Sequence, residues 1–317
     1  MQPVQRRARG AAAALAASVL WGTTYIAFKF VYNVPPESSP DPLLVTSARY
    51  WVGALTLYGL LWASRWLGAG RWRGDSATMP ATGADRPAPA GWRMILTLLG
   101  LGTLGCFVYG VLAGTAAKLT AATNVTILTN ANALWILPMA ALIGERVRPG
   151  AVLGSLIGFG GTLLIFWAPA TEGFKNPSRH DLLGCTLALS SGFVWAAYTV
   201  LGKGVARQSG GLRTSAFAMA AGAFLTVCLW AAAGTHPVLL HSQLLWMLYL
   251  GALPTGVAYG LWYVALEHMD SHKAGVFQYL VPIITILLAH FLLGESLTAT
   301  TMLGVAIIFL GVYLVRP

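Results

Sequence analysis

Runs of roughly 20 apolar residues recur along almost the whole chain, and this recurrence constrains it more than any motif. Each run is long enough to cross about 30 Å of hydrocarbon. Inside hydrocarbon every backbone polar group must be bonded internally, so the runs are read as helices. Only 9% of the 317 residues are charged, against about 25% in an ordinary soluble domain. The expected fold class is an all-α polytopic membrane protein. Ten spans are predicted, at residues 11–33, 43–64, 94–116, 122–143, 150–168, 182–202, 212–233, 244–266, 273–293 and 298–315. The longest interruption, 64–92, is rich in Gly, Pro, Ala and Arg and reads as a flexible cytoplasmic loop.

The net charge of +10 is not a nucleic-acid footprint, because Lys and Arg sit in short connections, the pattern of cytoplasmic loops. With the N-terminus in the cytoplasm, fifteen of the twenty Lys and Arg fall on the inner side. Lys118, Lys175 and Arg179 fall outside, and Lys29 and Arg49 lie within spans. A multi-pass protein of the cytoplasmic membrane, both termini cytoplasmic, is expected. The first apolar run follows Arg6, Arg7 and Arg9, exceeds signal-peptide length and reads as a retained anchor. Cys106, Cys185 and Cys228 all lie in apolar segments and read as small buried hydrophobes. No cofactor, metal or nucleic-acid partner is expected, and no P-loop points to ATP.

The chain also repeats. Shifting by 150 residues places Tyr109-Gly110 on Tyr259-Gly260, Gly144-Glu145 on Gly294-Glu295, Gly154 on Gly304 and Gly161 on Gly311. Shifting the first span by 174 places Trp21 on Trp195 and Lys29 on Lys203. The halves, 1–168 and 169–317, each hold five predicted spans. An odd number of crossings makes the second copy enter from the opposite side, so the repeats are expected to be inverted.

Two five-span halves, each with an early Trp (Val19-Leu20-Trp21-Gly22 and Phe193-Val194-Trp195-Ala196) and a late Gly-Glu turn before a Leu-Gly helix, resemble the drug/metabolite transporter superfamily, specifically its EamA-type members. The resemblance implies ten helices and secondary transport, commonly export of amino acids, amines, metabolites or toxic compounds. One departure is visible: Asn132 stands where the second half has Pro282, and a proline follows only at Pro138. The first-half helix is therefore expected to bend at a different depth.

Candidate site residues follow from polarity inside spans. The stretch from Thr120 to Val147 is apolar enough to span, yet carries Thr123, Asn124, Thr126, Thr129, Asn130 and Asn132. Thr123, Thr126 and Asn130 share one helical face, with Asn124 beside it. They read as a wet substrate-facing stripe or as interhelical glue. The twin helix offers Gln278 and Tyr279. Trp21, Thr24 and Tyr25, with Trp195, Tyr198 and Thr199, put aromatics at mid-span, either as cavity walls or as packing. Tyr109 and Tyr259 are equivalent by the repeat, and Tyr263 lies one turn beyond Tyr259. Arg49 is the most distinctive buried charge. A cation in hydrocarbon needs a partner or water, so it binds a substrate carboxylate or is tied to carbonyls or a loop carboxylate. Glu145 and Glu295, after glycine at span ends, read as caps or anchors.

All ten carboxylates fall in loops or at span ends, whereas proton-driven pumps usually hold a carboxylate or His mid-membrane. Facilitated diffusion or exchange is accordingly as reasonable as proton antiport, for which Glu267, His268 or His290 are the possible carriers. The expected function is alternating-access transport of small neutral, zwitterionic or aromatic metabolites, amino acids among them. A proton-coupled drug or amine antiporter is the alternative. A membrane-embedded lipid enzyme would need a nucleophile–base or multi-carboxylate constellation, and none is found.

Overall fold

A computed structural model describes residues 3–32, 40–66, 91–120, 122–165, 178–234, 241–293 and 297–315. The predicted loop at 64–92 thus lies mostly outside the described residues. Among them the chain is all-helical. Helix α1 (Pro3–Gly22) breaks at Thr23 and continues as α2 (Thr24–Tyr32). Helix α3 spans Pro42–Trp66. Helices α4 (Trp92–Gly102) and α5 (Tyr109–Leu119) are joined without a gap by a π-helical turn, Thr103–Val108. Next come α6 (Ala122–Asn130), α7 (Asn132–Leu142) and α8 (Pro149–Ile165).

The later part of the chain begins with α9 (Arg179–Ser209) and α10 (Gly211–Ala233). Helices α11 (His241–Leu250) and α12 (Ala258–His268) flank a second π-helical turn, Gly251–Val257. Then α13 (Ser271–Val276) runs through a short 3-10 turn, Phe277–Tyr279, into α14 (Leu280–Leu293), and α15 spans Ala299–Leu314.

Seven of these continuous helices are long and apolar enough to cross a membrane: Gln5–Tyr32, Trp92–Ala116, Asn124–Leu142, Arg179–Ser209, Gly211–Ala233, Gln243–His268 and Ser271–Leu292. The apolar α8 and α15 are shorter, at 17 and 16 residues. Large apolar side chains such as Leu55, Trp62, Leu142, Leu245 and Phe291 stand exposed on the outside of the bundle, as lipid contact requires. The chain is a polytopic membrane protein.

Helix ends follow local chemistry. Ser178 and Asp181 form a reciprocal capping box that starts α9: Ser178 Oγ accepts from the Asp181 amide at 3.1 Å, and Asp181 Oδ2 accepts from the Ser178 amide at 3.0 Å. That helix runs well past the predicted end at 202. Hydropathy falls at Lys203 and Arg207, but both find carboxylates, and the helix stops only at Gly210, whose φ of 86° suits glycine. Asn130 and Asn132 flank a break at Ala131, whose amide bonds back to the Leu128 carbonyl at 3.3 Å. The break in the twin helix falls at Phe277–Tyr279, where Pro282 has no N–H to give the Gln278 carbonyl. After the shift of 150 the two breaks are two to four residues apart.

Packing is reciprocal between the two parts of the chain. Helix α1 lies on α12 and α14, while α9 lies on α5, α6 and α7; α3 lies on the second π turn, while α10 lies on the first. Backbone contact between glycines permits these approaches. A Cβ on Gly154 would meet the Gly311 carbonyl at 2.5 Å, and one on Gly304 would meet the Gly161 carbonyl at 2.8 Å. Gly154 corresponds to Gly304 and Gly161 to Gly311, so the same contact is made in both directions between α8 and α15.

Candidate functional site

The first π turn ends directly before Tyr109-Gly110 and the second one residue before Tyr259-Gly260, and such turns often mark functional sites. The tyrosines they present converge on Trp195, midway along α9. Its ring centroid lies 5.1 Å from Tyr109, 5.2 Å from Tyr259, 5.3 Å from Tyr198, 5.4 Å from Trp21 and 6.4 Å from Trp262. Tyr50 of α3 joins through Tyr259, edge-on at 6.3 Å, and Tyr263 through Tyr198 at 5.0 Å. Each such pair contributes about 0.5–1.5 kcal/mol beyond its burial. One aromatic cluster therefore ties α1, α3, α5, α9 and α12 together in mid-bundle. Glycines set its spacing: the Tyr198 ring occupies the space a Cβ on Gly105 would need, and Tyr263 that on Gly202.

The rings divide by exposure. Tyr50, Tyr198, Trp262 and Tyr263 are fully enclosed. Tyr263 donates to the Tyr198 carbonyl at 3.3 Å, and the Trp262 indole donates to Thr199 Oγ1 at 3.2 Å. In this conformation Tyr198 and Tyr263 back the wall. Trp195 and Tyr259 keep a small accessible area, 5% and 3%, and Trp21, Tyr109 and Arg49 are half-buried, so these form the more accessible side of the cluster. The side chain of Tyr25 lies outside the described residues.

Arg49 sits beside this wall. Its guanidinium lies over the Tyr50 ring at 4.7 Å and the Phe28 ring at 5.8 Å. One amino group donates to the Tyr50 hydroxyl at 3.1 Å, and that hydroxyl is 3.5 Å from the Tyr259 hydroxyl. Arg49 Nε is buried without an acceptor among the described residues, and none of the described salt bridges includes it.

The Asn/Thr helix is next to the cluster rather than in it. Thr129 Oγ1 is 3.4 Å from Ser191 Oγ, one turn before Trp195 on α9. Asn130 donates its amide to the Thr126 carbonyl at 2.8 Å, and Asn124 donates to Thr120 Oγ1 at 3.1 Å. Thr126 and Asn130 remain half-buried, while the buried Asn124 leaves its Oδ1 without a donor among the described residues. The Thr123 side chain lies outside them. Gln278, on the 3-10 turn, is buried, and its Nε2 finds no acceptor among the described residues. Its turn is held by Ser18 Oγ, which donates to the Phe277 carbonyl at 2.9 Å.

A second polar cluster closes one end of the bundle. Glu145, after the Gly144 turn, accepts from Lys203 Nζ at 2.5 Å and from the Ser271 amide at 3.1 Å through Oε1; its Oε2 lies 2.8 Å from His272 Nδ1. Asp270 pairs with Lys203 at 3.3 Å, Lys273 at 3.1 Å and Arg207 at 3.6 Å. Burial alone would raise the Glu145 carboxyl, but His272, Lys203 and the Ser271 amide outweigh it and hold the group at about 2. Burial likewise works against the Asp270 anion, and Lys203 with Lys273 outweighs it, lowering the group. Glu145 thus caps α13, a helix of the other half, and joins α7, α9 and α13.

The possible proton carriers lie apart from the rings. Glu267, about 12 Å along α12 from Tyr259, accepts from the Gly211 amide at 2.8 Å and caps α10. His268 Nδ1 lies 2.8 Å from the Val264 carbonyl, and His290 stands against Phe291 near the end of α14. Sequence reasoning passed over Tyr50, Trp262, Lys203, Asp270 and His272. Trp262 shares a helical face with Tyr259, and Lys203 interrupts an apolar helix; those were the available signals.

Fold and site define a helical membrane protein with a buried aromatic cluster between its helices and a charged cluster at one end. The EamA-like transporter family model matches residues 8–167 and 182–316, and the chain belongs to that family, within the drug/metabolite transporter superfamily. It is 32% identical over 236 residues to an uncharacterized transporter of Archaeoglobus fulgidus, covering 73% of this chain and 78% of the other. An uncharacterized protein of Pseudomonas aeruginosa is 31% identical over 269 residues, 82% and 79% of the two chains. The aromatic amino acid exporter YddG of Ancylobacter novellus is 30% identical over 156 residues, 49% of this chain and 53% of that one. A crystal structure superposes with a TM-score of 0.75 at 22% identity, covering 96% of this chain and 95% of that one; this likeness concerns the fold.

Proposed function

We propose that this transporter exports small aromatic or zwitterionic metabolites, aromatic amino acids among them, by alternating access. Its architecture in this reading is ten helices in two inverted five-helix repeats, 1–168 and 169–317, with both termini on the cytoplasmic side of the cell membrane. The observation that carries the reading is the convergence of rings from five helices of both halves on Trp195. A chamber built from both halves changes when the halves rock against each other, which is what alternating access needs. The two-way glycine contact between α8 and α15 and the matched π turns support the inverted arrangement. The name of the Ancylobacter novellus relative supports an aromatic cargo.

In this reading a substrate ring lies against Trp21 and Tyr109, while Arg49, the Thr123–Asn130 face and Gln278 meet its polar groups. The Glu145–Lys203–Asp270–His272 cluster is the closed inner side. Entry from the inner side requires these ion pairs to part, and desolvated pairs part only when others replace them or water enters. Among the described residues the chamber rings enclose no carboxylate or histidine, which favours downhill movement or exchange over proton coupling. The experiment is flux: purified protein in liposomes, given labelled aromatic amino acids, amines and dyes with and without a pH gradient. Saturable movement of an aromatic amino acid, unchanged by the gradient, is expected. Movement only with the gradient points to the antiporter alternative, with Glu267, His268 and His290 the groups to replace first.

A further inference from the structure

Among the described residues Arg49 is a cation without an anionic partner. It lies seven residues into α3, about 10 Å from that helix end, within the span and half-buried. Lys203, 3% exposed, has two carboxylates within reach. Around Arg49 stand instead the faces of Tyr50 and Phe28 and the Tyr50 hydroxyl. A guanidinium carries five N–H donors in a planar fork. One is given to Tyr50, and Nε finds no acceptor among the described residues. Cation–π contact and one phenol lower the cost of such a charge but do not neutralise it.

We propose that the transported molecule supplies the missing charge: the chamber selects aromatic carboxylates carrying net negative charge, ahead of zwitterionic amino acids and against aromatic amines. The inference rests on the transport reading above and adds a rule of charge to it. The fork of Arg49 matches a carboxylate in shape and number of donors, and Trp21 and Tyr109 offer the attached ring a face. An anion neutralises the site. A zwitterion brings an ammonium for which no carboxylate stands among the chamber residues described. An amine places a second cation beside the first, a penalty on the order of tenfold to a hundredfold in affinity at these separations.

The test uses one ring with four side chains: phenylacetate, phenylalanine, phenylacetamide and phenethylamine. Initial uptake into liposomes carrying the full-length protein is measured against protein-free liposomes at pH 7.4. Phenylacetate is expected to move fastest, and to exceed phenethylamine by about tenfold or more. Arg49→Gln should remove the advantage of phenylacetate over phenylacetamide, and Arg49→Lys should keep part of it, because the charge remains and the fork is lost. Equal uptake of all four by the wild type, or an Arg49→Gln variant that scales all four alike, overturns charge selection and leaves aromatic transport standing. Uptake of none above the protein-free control overturns both readings.

Discussion

The bundle keeps buried cations in two ways. At one end Lys203, 3% exposed, meets Glu145 and Asp270, and Glu145 is bonded again by His272 and the Ser271 amide. In mid-bundle Arg49 meets rings and a phenol. The first arrangement is satisfied, and it holds three helices in one position. The second has no anion among the described residues. A fully paired cluster suits closure, and an under-paired one suits recognition, because only the second gains from a visitor.

Breaking the paired end should have the largest effect. Glu145→Gln leaves Lys203 with Asp270 as its one carboxylate, and a loss of about 3 kcal/mol, the low end for breaking a buried pair, is expected, read as a lower thermal midpoint in detergent. Adding Lys203→Met should recover part of that loss; if the double variant is as unstable as the sum of the two single ones, the pair is not coupled. Acid probes the same bond. Glu145 is held at about 2, below the ordinary value near 4.3. Its contribution is therefore complete above about pH 4.3 and is lost as the pH falls towards 2, roughly 3 kcal/mol in all. The difference in thermal midpoint between wild type and Glu145→Gln should be constant from pH 8 to 5 and narrow below that.

Smaller effects sharpen the chamber side. Gly105→Ala puts a methyl into the Tyr198 ring, with an expected cost of about 1–3 kcal/mol and reduced flux. Stability unchanged by that substitution means the rings yield easily and do not form a fixed wall. Arg49→Met should cost the least: removing an uncompensated buried charge is about neutral for stability, or stabilising. A loss as large as that of Glu145→Gln would show Arg49 to be a structural tie instead.

How much of this was legible in the sequence differs between the two regions. Apolar periodicity located the helices, since hydrocarbon-length runs have few other outcomes. The Trp21 and Trp195 pairing came from the repeat, and these rings do meet, 5.4 Å apart. Tyr50 and Trp262 were not singled out, because one aromatic in an apolar helix looks the same facing lipid or a neighbouring ring. The ion cluster was hidden by the rule that located the loops. Lys203 counts as an inner-side cation by hydropathy, and only the approach of the Glu145 turn to α13 turns it into a buried partner. Asn130 stood out by polarity, yet its amide is used within its own helix, a local bond that spacing alone does not reveal.

The central claim is that the rings around Trp195 form the transport site, and one comparison of flux tests it most directly. Wild type, Trp21→Leu and Tyr259→Ala, each confirmed as folded by thermal midpoint, are placed in liposomes and given the aromatic substrate the wild type moves best. Saturable wild-type uptake is expected, with a loss of about twofold to tenfold in each variant, the scale of one lost aromatic contact. Folded variants that move the substrate at the wild-type rate would contradict the claim.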